Sequence, residues 1–128
     1  MVDTPVLLWM VLEPKRLSRK AKRLIDRSSQ AGGLAISSVS LWEIAMLISR
    51  GRLSVQGTAS GWLTELLSRT GVGVADLSPA ITELSTGFGP DFPRDPADRT
   101  IAATVRADAT MLITADERIQ ASPLLKCV

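Results

Sequence analysis

Asp3 and Asp116 follow short strand-like runs, Glu43 lies one turn into the helix after the run 34–37, and Asp98 lies one turn into the helix opened by Asp95-Pro96. Carboxylates gathered into a small volume repel one another and take up protons unless a cation neutralises them. Mg²⁺ and Mn²⁺ are hard, oxygen-seeking ions held by a few carboxylates plus water, and they remove that repulsion. The chemistry such a site supports is phosphodiester hydrolysis, in which the metal activates water and stabilises charge on phosphate without any histidine. The chain has no histidine, and Cys127 is its one cysteine. That excludes Ser-His-Asp and Cys-His triads, ribonuclease mechanisms with a histidine base, cysteine-based zinc sites and an internal disulfide. Acid–base or metal chemistry here must run on carboxylates.

Each acid also has a plainer reading. Ser40-Leu-Trp-Glu43 fits a capping box, with Glu43 reaching back to a helix start. Asp95-Pro-Ala-Asp98 places Asp98 in a first turn, where the helix dipole favours an acid. Asp116 fits a cap of the last helical turn, and Asp3 fits a loose terminal residue. Glu43 resists its plain reading best. It is the only charged residue between Gly33 and Ser49, and Leu41, Trp42, Ile44 and Ala45 around it leave little solvated face. No lysine or arginine lies within six residues of it on that helix. A carboxylate pressed toward a core costs several kcal/mol without compensation (roughly 2–7 for an unpaired polar group, more for a charge). A bound divalent cation would supply it.

The elements that must position these acids are short. Thr4-Pro5 reads as a helix start, Thr4 capping and proline at the first helical position, with a helix over 6–12 stopped by Glu13-Pro14. Ser18 caps a helix to about Ser29 whose inner face is Ala21, Leu24 and Ile25. Gly32-Gly33 breaks it, and 34–37 reads as a buried strand. Helices follow over 38–49, closed by Arg50-Gly51, and over 58–69. A strand at 72–77 leads into a helix from Ser78-Pro79 to Thr86. The glycines and prolines of 87–94 mark a loop. Asp95-Pro96 opens a helix rich in small residues to about Ala107, and 110–114 is the last strand before a turn at 116–119. Buried strands alternating with helices define an α/β fold, a short parallel sheet flanked by helices in a three-layer sandwich. Ligands of such sheets collect beyond the carboxyl ends of the strands, where the strand order reverses.

The 128 residues fit one domain, 1–128, with a core of its own. Apolar residues make up 45% and charged residues 22%, ordinary globular usage that argues against disorder. The longest apolar run, 6–12, is far short of the ~20 residues of a membrane span. No secretion signal is apparent, so the expected location is the cytoplasm, away from membranes. Net charge is +2, but residues 15–27 carry seven basic groups against Asp26 alone. Such a face either attracts phosphate backbones by counterion release or is simply solvated.

Asp3-Thr4 before Val-Leu-Leu-Trp, Ser40-Leu-Trp-Glu43-Ile-Ala, Arg94-Asp-Pro-Ala-Asp98-Arg-Thr-Ile-Ala-Ala-Thr and Leu-Ile-Thr114-Ala-Asp116-Glu-Arg-Ile occur in that order. Together they resemble the PIN-domain nucleases, most closely the VapC-like toxins of bacterial type II toxin–antitoxin systems. The resemblance runs nearly the whole chain. It implies a PIN-like fold and a Mg²⁺- or Mn²⁺-dependent endoribonuclease. It makes Asp3, Glu43, Asp98 and Asp116 the catalytic, metal-holding acids, and Thr114 a hydroxyl beside the last acid that binds water or phosphate. It also implies a homodimer, a cognate antitoxin that blocks the acidic groove, and an RNA substrate.

Two departures surround Asp3. Only Met1 and Val2 precede it, whereas a strand takes about five residues, and Pro5 stands where the family often has a small polar residue or histidine. A stunted first strand would leave a PIN-like module that binds an antitoxin or RNA without cleavage, the alternative to an active enzyme. Arg94 and Arg99 either bind phosphates or, for Arg99, pair with Asp95 along the helix. Phe88 and Phe92 either stack on bases or pack the loop down. Trp9, Trp42 and Trp62 read as core or dimer-interface residues. A phosphoacceptor receiver domain has similar length and acids but needs a late-strand lysine, and Lys126 is the only lysine beyond Arg27.

Overall fold

The computed structural model describes residues 1–128. Its elements are α1 (Thr4–Leu12), a 3₁₀ turn (Pro14–Arg16), α2 (Arg19–Gln30), β1 (Ala35–Ser37), α3 (Ser38–Ser49), α4 (Ala59–Thr70), β2 (Gly73–Ala75), α5 (Pro79–Thr86), α6 (Pro96–Ala107) and α7 (Glu117–Gln120). β1 and β2 pair in parallel, with Ile36 opposite Val74. Three shorter extended segments continue the sheet. The Val2 N–H donates to Ala35 O at 3.0 Å, while the Asp3 N–H donates to Ile113 O and the Ile113 N–H to Met1 O. Val2 bridges Ile113 in parallel, and Leu112 bridges Cys127 in parallel. The hydrogen-bonded order is therefore β2, β1, 1–3, 112–114, 126–128, with the first segment central. Connections leave it toward both edges, so Asp3 ends the strand at the point where the order reverses.

Side-chain alternation along these segments builds the three layers, because neighbouring strand residues point to opposite faces. Val2 and Ile113 join one apolar cluster with Val6, Leu7, Ile25 and Ile44. Met1 and Leu112, each one residue away, join the other with Ile81, Phe92, Ile101 and Ile119. Helices α1 to α4 thus cover one face and α5 and α6 the other. Ala97, Ala102 and Ala103 of α6 are buried, and their small side chains let its backbone approach the sheet and α5 closely. No helix is long and apolar enough to cross a membrane.

Most helix boundaries follow the sequence reading. Ser18, Thr58, Ser78 and Asp95 cap α2, α4, α5 and α6 with side-chain oxygens. The cap of α1 is a correction: Asp3 fills it, its carboxylate accepting the Val6 N–H, so Thr4 is the first helical residue and Pro5 the second. Proline suits that place because a first-turn N–H has no partner within the helix. The capping box at Ser40 is a second correction. Ser37 caps α3, and Ser40 is fully buried a turn further on. The strand expected at 110–114 reduces to the bridges of Leu112 and Ile113. Trp9 and Trp62 pack on the core, whereas Trp42 is 62% exposed, which removes it from the core.

Candidate active site

Three strand ends and one helix carry the four acids to the same edge of the sheet. Asp3 is buried where the central segment ends. Glu43 is half-buried in the second turn of α3, directly after β1, and Asp98 is half-buried in the first turn of α6. Asp116 follows the segment 112–114 and caps α7. Their charges act on one another. Asp98 is pushed up to about 6, first by burial and then by Asp95, Glu43, Asp116 and Asp3. Asp98 also sits in a first turn, where the helix dipole holds an acid's pKa down; burial and four neighbouring acids outweigh it. Burial likewise raises Glu43 and Asp3 above the usual carboxylate range, with Asp95 and Asp3 adding to Glu43 and Asp116 adding to Asp3. A loose terminal residue would show none of this, so the plain reading of Asp3 fails.

Hydroxyls lie close to the two innermost acids. The Thr4 hydroxyl donates to Glu43 Oε1 and lies 2.9 Å from Ser40 Oγ. One hydroxyl has one proton, so Thr4 gives it to the carboxylate and accepts from Ser40. Thr114 is buried; its hydroxyl accepts the Asp116 N–H at 3.0 Å and lies close enough to Asp3 to oppose the rise that burial gives its pKa. Thr114 therefore sits beside the last acid, between Asp116 and Asp3.

Asp116 stands apart from the other three. Its pKa is lowered, chiefly by hydrogen bonds from Arg118, whose Nη2 lies 3.0 Å from Oδ2. Sequence reasoning misses Arg118 because it reads as an ordinary helix residue; only the short α7 turns it back onto its own cap. Asp95 reads in the sequence only as a helix start. Its side chain caps α6 while its charge reaches Asp98 and Glu43.

Arg99 is a further correction. Its guanidinium donates to the carbonyls of Pro93, Phe88, Gly89 and Phe92 at 2.7–3.3 Å. It ties down the loop 87–94 and pairs neither with Asp95 nor outward toward a phosphate. Phe88 and Phe92 are buried with ring centroids 4.5 Å apart, so they pack the loop and offer no base a surface. Arg94 is exposed beside the acids in sequence and forms no ion pair.

As the side chains stand, no three acids enclose a single ion. The donor set is nevertheless that of a hard cation: oxygen-only ligands, mutually repelling, with one guanidinium among them. Glu43 and Asp98 are half-buried, so both carboxylates remain accessible to an ion.

An α/β sandwich with acids meeting at the end of its central strand defines the class, and comparison places the chain within it. Residues 1–123 match the PIN domain family, and the chain belongs to that family. Over 120 residues it is 30% identical to Ribonuclease VapC22 of Mycobacterium tuberculosis (strain ATCC 25618 / H37Rv), covering 94% of this chain and 88% of that protein. Its fold resembles VapBC2 from Rickettsia felis, solved bound to a DNA fragment from the promoter, with a TM-score of 0.68 at 17% identity over 100% of this chain and 98% of that one. It also resembles a toxin–antitoxin complex from Klebsiella pneumoniae, with a TM-score of 0.63 at 19% identity, covering 99% and 93%.

Proposed function

We propose that this chain is a divalent-metal-dependent endoribonuclease and the toxin of a toxin–antitoxin pair. The observation that carries this reading is the meeting of Asp3, Glu43, Asp98 and Asp116 at the central strand's end, where burial first, and then Asp95 together with the other three acids, push Asp98 up to about 6. Mg²⁺ or Mn²⁺ held by these four acids fits the donor set. When bound, such an ion supplies Lewis-acid charge to a phosphodiester and lowers the pKa of coordinated water.

The chain's own residues prepare the site. The Val6 N–H fixes Asp3. Thr4 orients Glu43. Asp98, pushed up to about 6, is mostly ionised at pH 7 and would be a ligand of that ion. Arg118 offsets Asp116, leaving the acids short of full mutual repulsion. Arg94, exposed and without an ion pair, would hold a neighbouring substrate phosphate. The paired central segment supports an active enzyme over a degraded binding module, because Asp3 sits at its end despite having two residues before it.

The partners of this reading are RNA, a second copy of the chain and an antitoxin. The similarity to a chain of the Klebsiella toxin–antitoxin complex supports the last. The test is incubation of the purified protein with RNA in Mg²⁺ or Mn²⁺, with excess EDTA and a Glu43→Gln variant as controls. Cleavage that needs the ion and is lost in the variant is the expected result. RNA left intact by the wild type in both ions would overturn the enzymatic reading.

A further inference from the structure

A groove of about 780 Å³ runs from the acid cluster between α1 and α3, within the ~300–1,000 Å³ span of ligand sites. Thr4, Glu43 and Asp95 line its acidic end. Leu8, Trp9 and Leu12 of α1 face Trp42 and Met46 of α3 along its length, and Arg50 and Arg52 line it as well. Trp42, Met46 and Arg50 recur at four-residue intervals and so share one side of α3. Trp42 to Arg50 spans about 12 Å along the helix axis.

Three features mark this groove as a binding surface. First, Trp42 is 62% exposed, and Leu12, which lines the same groove, is 49% exposed. Adjacent large apolar groups left to water mark interaction sites. Second, Arg50 and Arg52 are exposed and belong to none of the protein's three ion pairs, whereas Arg16 and Glu13, which line the same groove, pair with each other. Third, they are anchored. The Arg52 N–H donates to Leu47 O at 2.9 Å and the Gly51 N–H to Ile48 O at 3.1 Å, with Gly51 at φ 71°. That pattern closes α3 in a Schellman turn, in which glycine supplies the left-handed residue. Both arginines therefore leave a fixed backbone at a helix carboxyl end, where cations are also favoured.

We propose that this groove seats a nucleotide flanking the cleaved bond, its base stacked on Trp42 and a phosphate of the same strand held by Arg50 and Arg52. The inference rests on the ribonuclease reading and names how the substrate is gripped. Its charge pattern carries it: an acidic end that needs a cation, an aromatic wall and free guanidiniums match a scissile phosphate, a base and a further phosphate. Base–aromatic stacking tolerates any sequence, because every base has a π-face. The occupant is accordingly single-stranded RNA with an unstacked base.

The test compares wild type, Trp42→Ala, Trp42→Phe and the double variant Arg50→Ala/Arg52→Ala. Binding to a short oligouridylate and to an abasic ribose-phosphate oligomer of equal length is measured by fluorescence anisotropy, with Ca²⁺ as the divalent ion. Thermal melts accompany each variant; Trp42 is exposed, so its replacement leaves folding intact. Trp42→Ala is expected to weaken oligouridylate binding roughly 5- to 100-fold, the size of one base–aromatic stack. The abasic oligomer binds it as it binds wild type, and Trp42→Phe recovers most of the loss. The double arginine variant lowers the salt slope of binding by about 0.7 for each phosphate no longer neutralised.

Equal weakening on both oligomers, or no change on either, overturns the proposal. If wild type cleaves RNA while Trp42→Ala binds it normally, this subsite falls and the ribonuclease reading stands. If wild type neither binds nor cleaves RNA, both fall. A Trp42→Ala change that leaves RNA binding intact and abolishes self-association in sedimentation assigns the face to a second copy and overturns the proposal.

Discussion

Thr4 and Glu43, 39 residues apart in sequence, are joined by one hydrogen that the Thr4 hydroxyl gives to Glu43 Oε1. The contact ties the first turn of α1, next to Asp3, to the second turn of α3, so two acids on different elements are held as one unit. It also opposes the upward pressure that burial puts on Glu43.

Thr4→Val removes the hydroxyl while keeping the shape. Glu43 then loses its donor and its pKa rises further, making the carboxylate a poorer ligand near neutral pH. Groups that orient metal ligands typically contribute 10- to 100-fold in affinity. Mn²⁺ calorimetry at pH 7 should show a loss of about tenfold for Thr4→Val and near-normal binding for Thr4→Ser. Equal affinities in wild type and Thr4→Val would mean that Glu43 needs no orienting partner.

Asp98 makes metal-free stability depend on pH in a direction opposite to that of a salt-bridged acid. Its folded pKa of about 6 lies above the ordinary 3.8, so the folded state binds the proton more tightly than the unfolded chain. That contribution is complete below about pH 4 and is lost as pH rises through 6. Raised Glu43 and Asp3 act in the same sense, and lowered Asp116 acts against them. Asp98→Asn should therefore raise the melting temperature at pH 7 in EDTA by a few degrees and leave it nearly unchanged at pH 4. A variant that melts lower than wild type at pH 7 would show that the Asp98 charge stabilises the fold.

Helix starts were the most legible part of this chain, because Ser18, Ser78-Pro79 and Asp95-Pro96 announce themselves by type and position. The layers were legible from alternation, and Glu43 as a charge with little solvated face from the apolar residues around it. What the sequence hid depends on contacts between distant residues. Thr4 looks like a cap until Asp3 is seen to occupy that role, and its hydroxyl then turns to Glu43. Arg99 looks like a phosphate ligand beside an acid, yet its fork meets four loop carbonyls. The edge strands shrink to single bridges because pairing depends on the partner backbone, which local composition does not describe.

Arg118 competes with any cation that approaches Asp116. Its guanidinium is fully exposed and holds Asp116 Oδ2 at 3.0 Å, and its charge faces Asp98 and Asp95 as well. Arg118→Ala removes one positive charge from the rim of the acid cluster and frees a carboxylate. Divalent-ion affinity should rise a few-fold at low salt, and the gain should vanish near 1 M salt, where the Debye length falls to about 3 Å. Weaker binding in the variant would mean that the ion pair holds Asp116 in its ligating position.

Arg99 carries a stability role that can be separated from chemistry. Its N–H groups end on four carbonyls of residues 88–93, and the loop they close lies between α5 and α6. Lysine keeps the charge but offers a compact ammonium in place of a planar fork, so it cannot reach all four carbonyls together. Each buried acceptor left unmet costs about 1–3 kcal/mol. Arg99→Lys should lower the melting temperature by several degrees and open 87–94 to limited proteolysis, with cleavage rate per folded molecule at low temperature close to wild type. A large fall in that rate with an unchanged melting temperature would return Arg99 to the substrate side of the site.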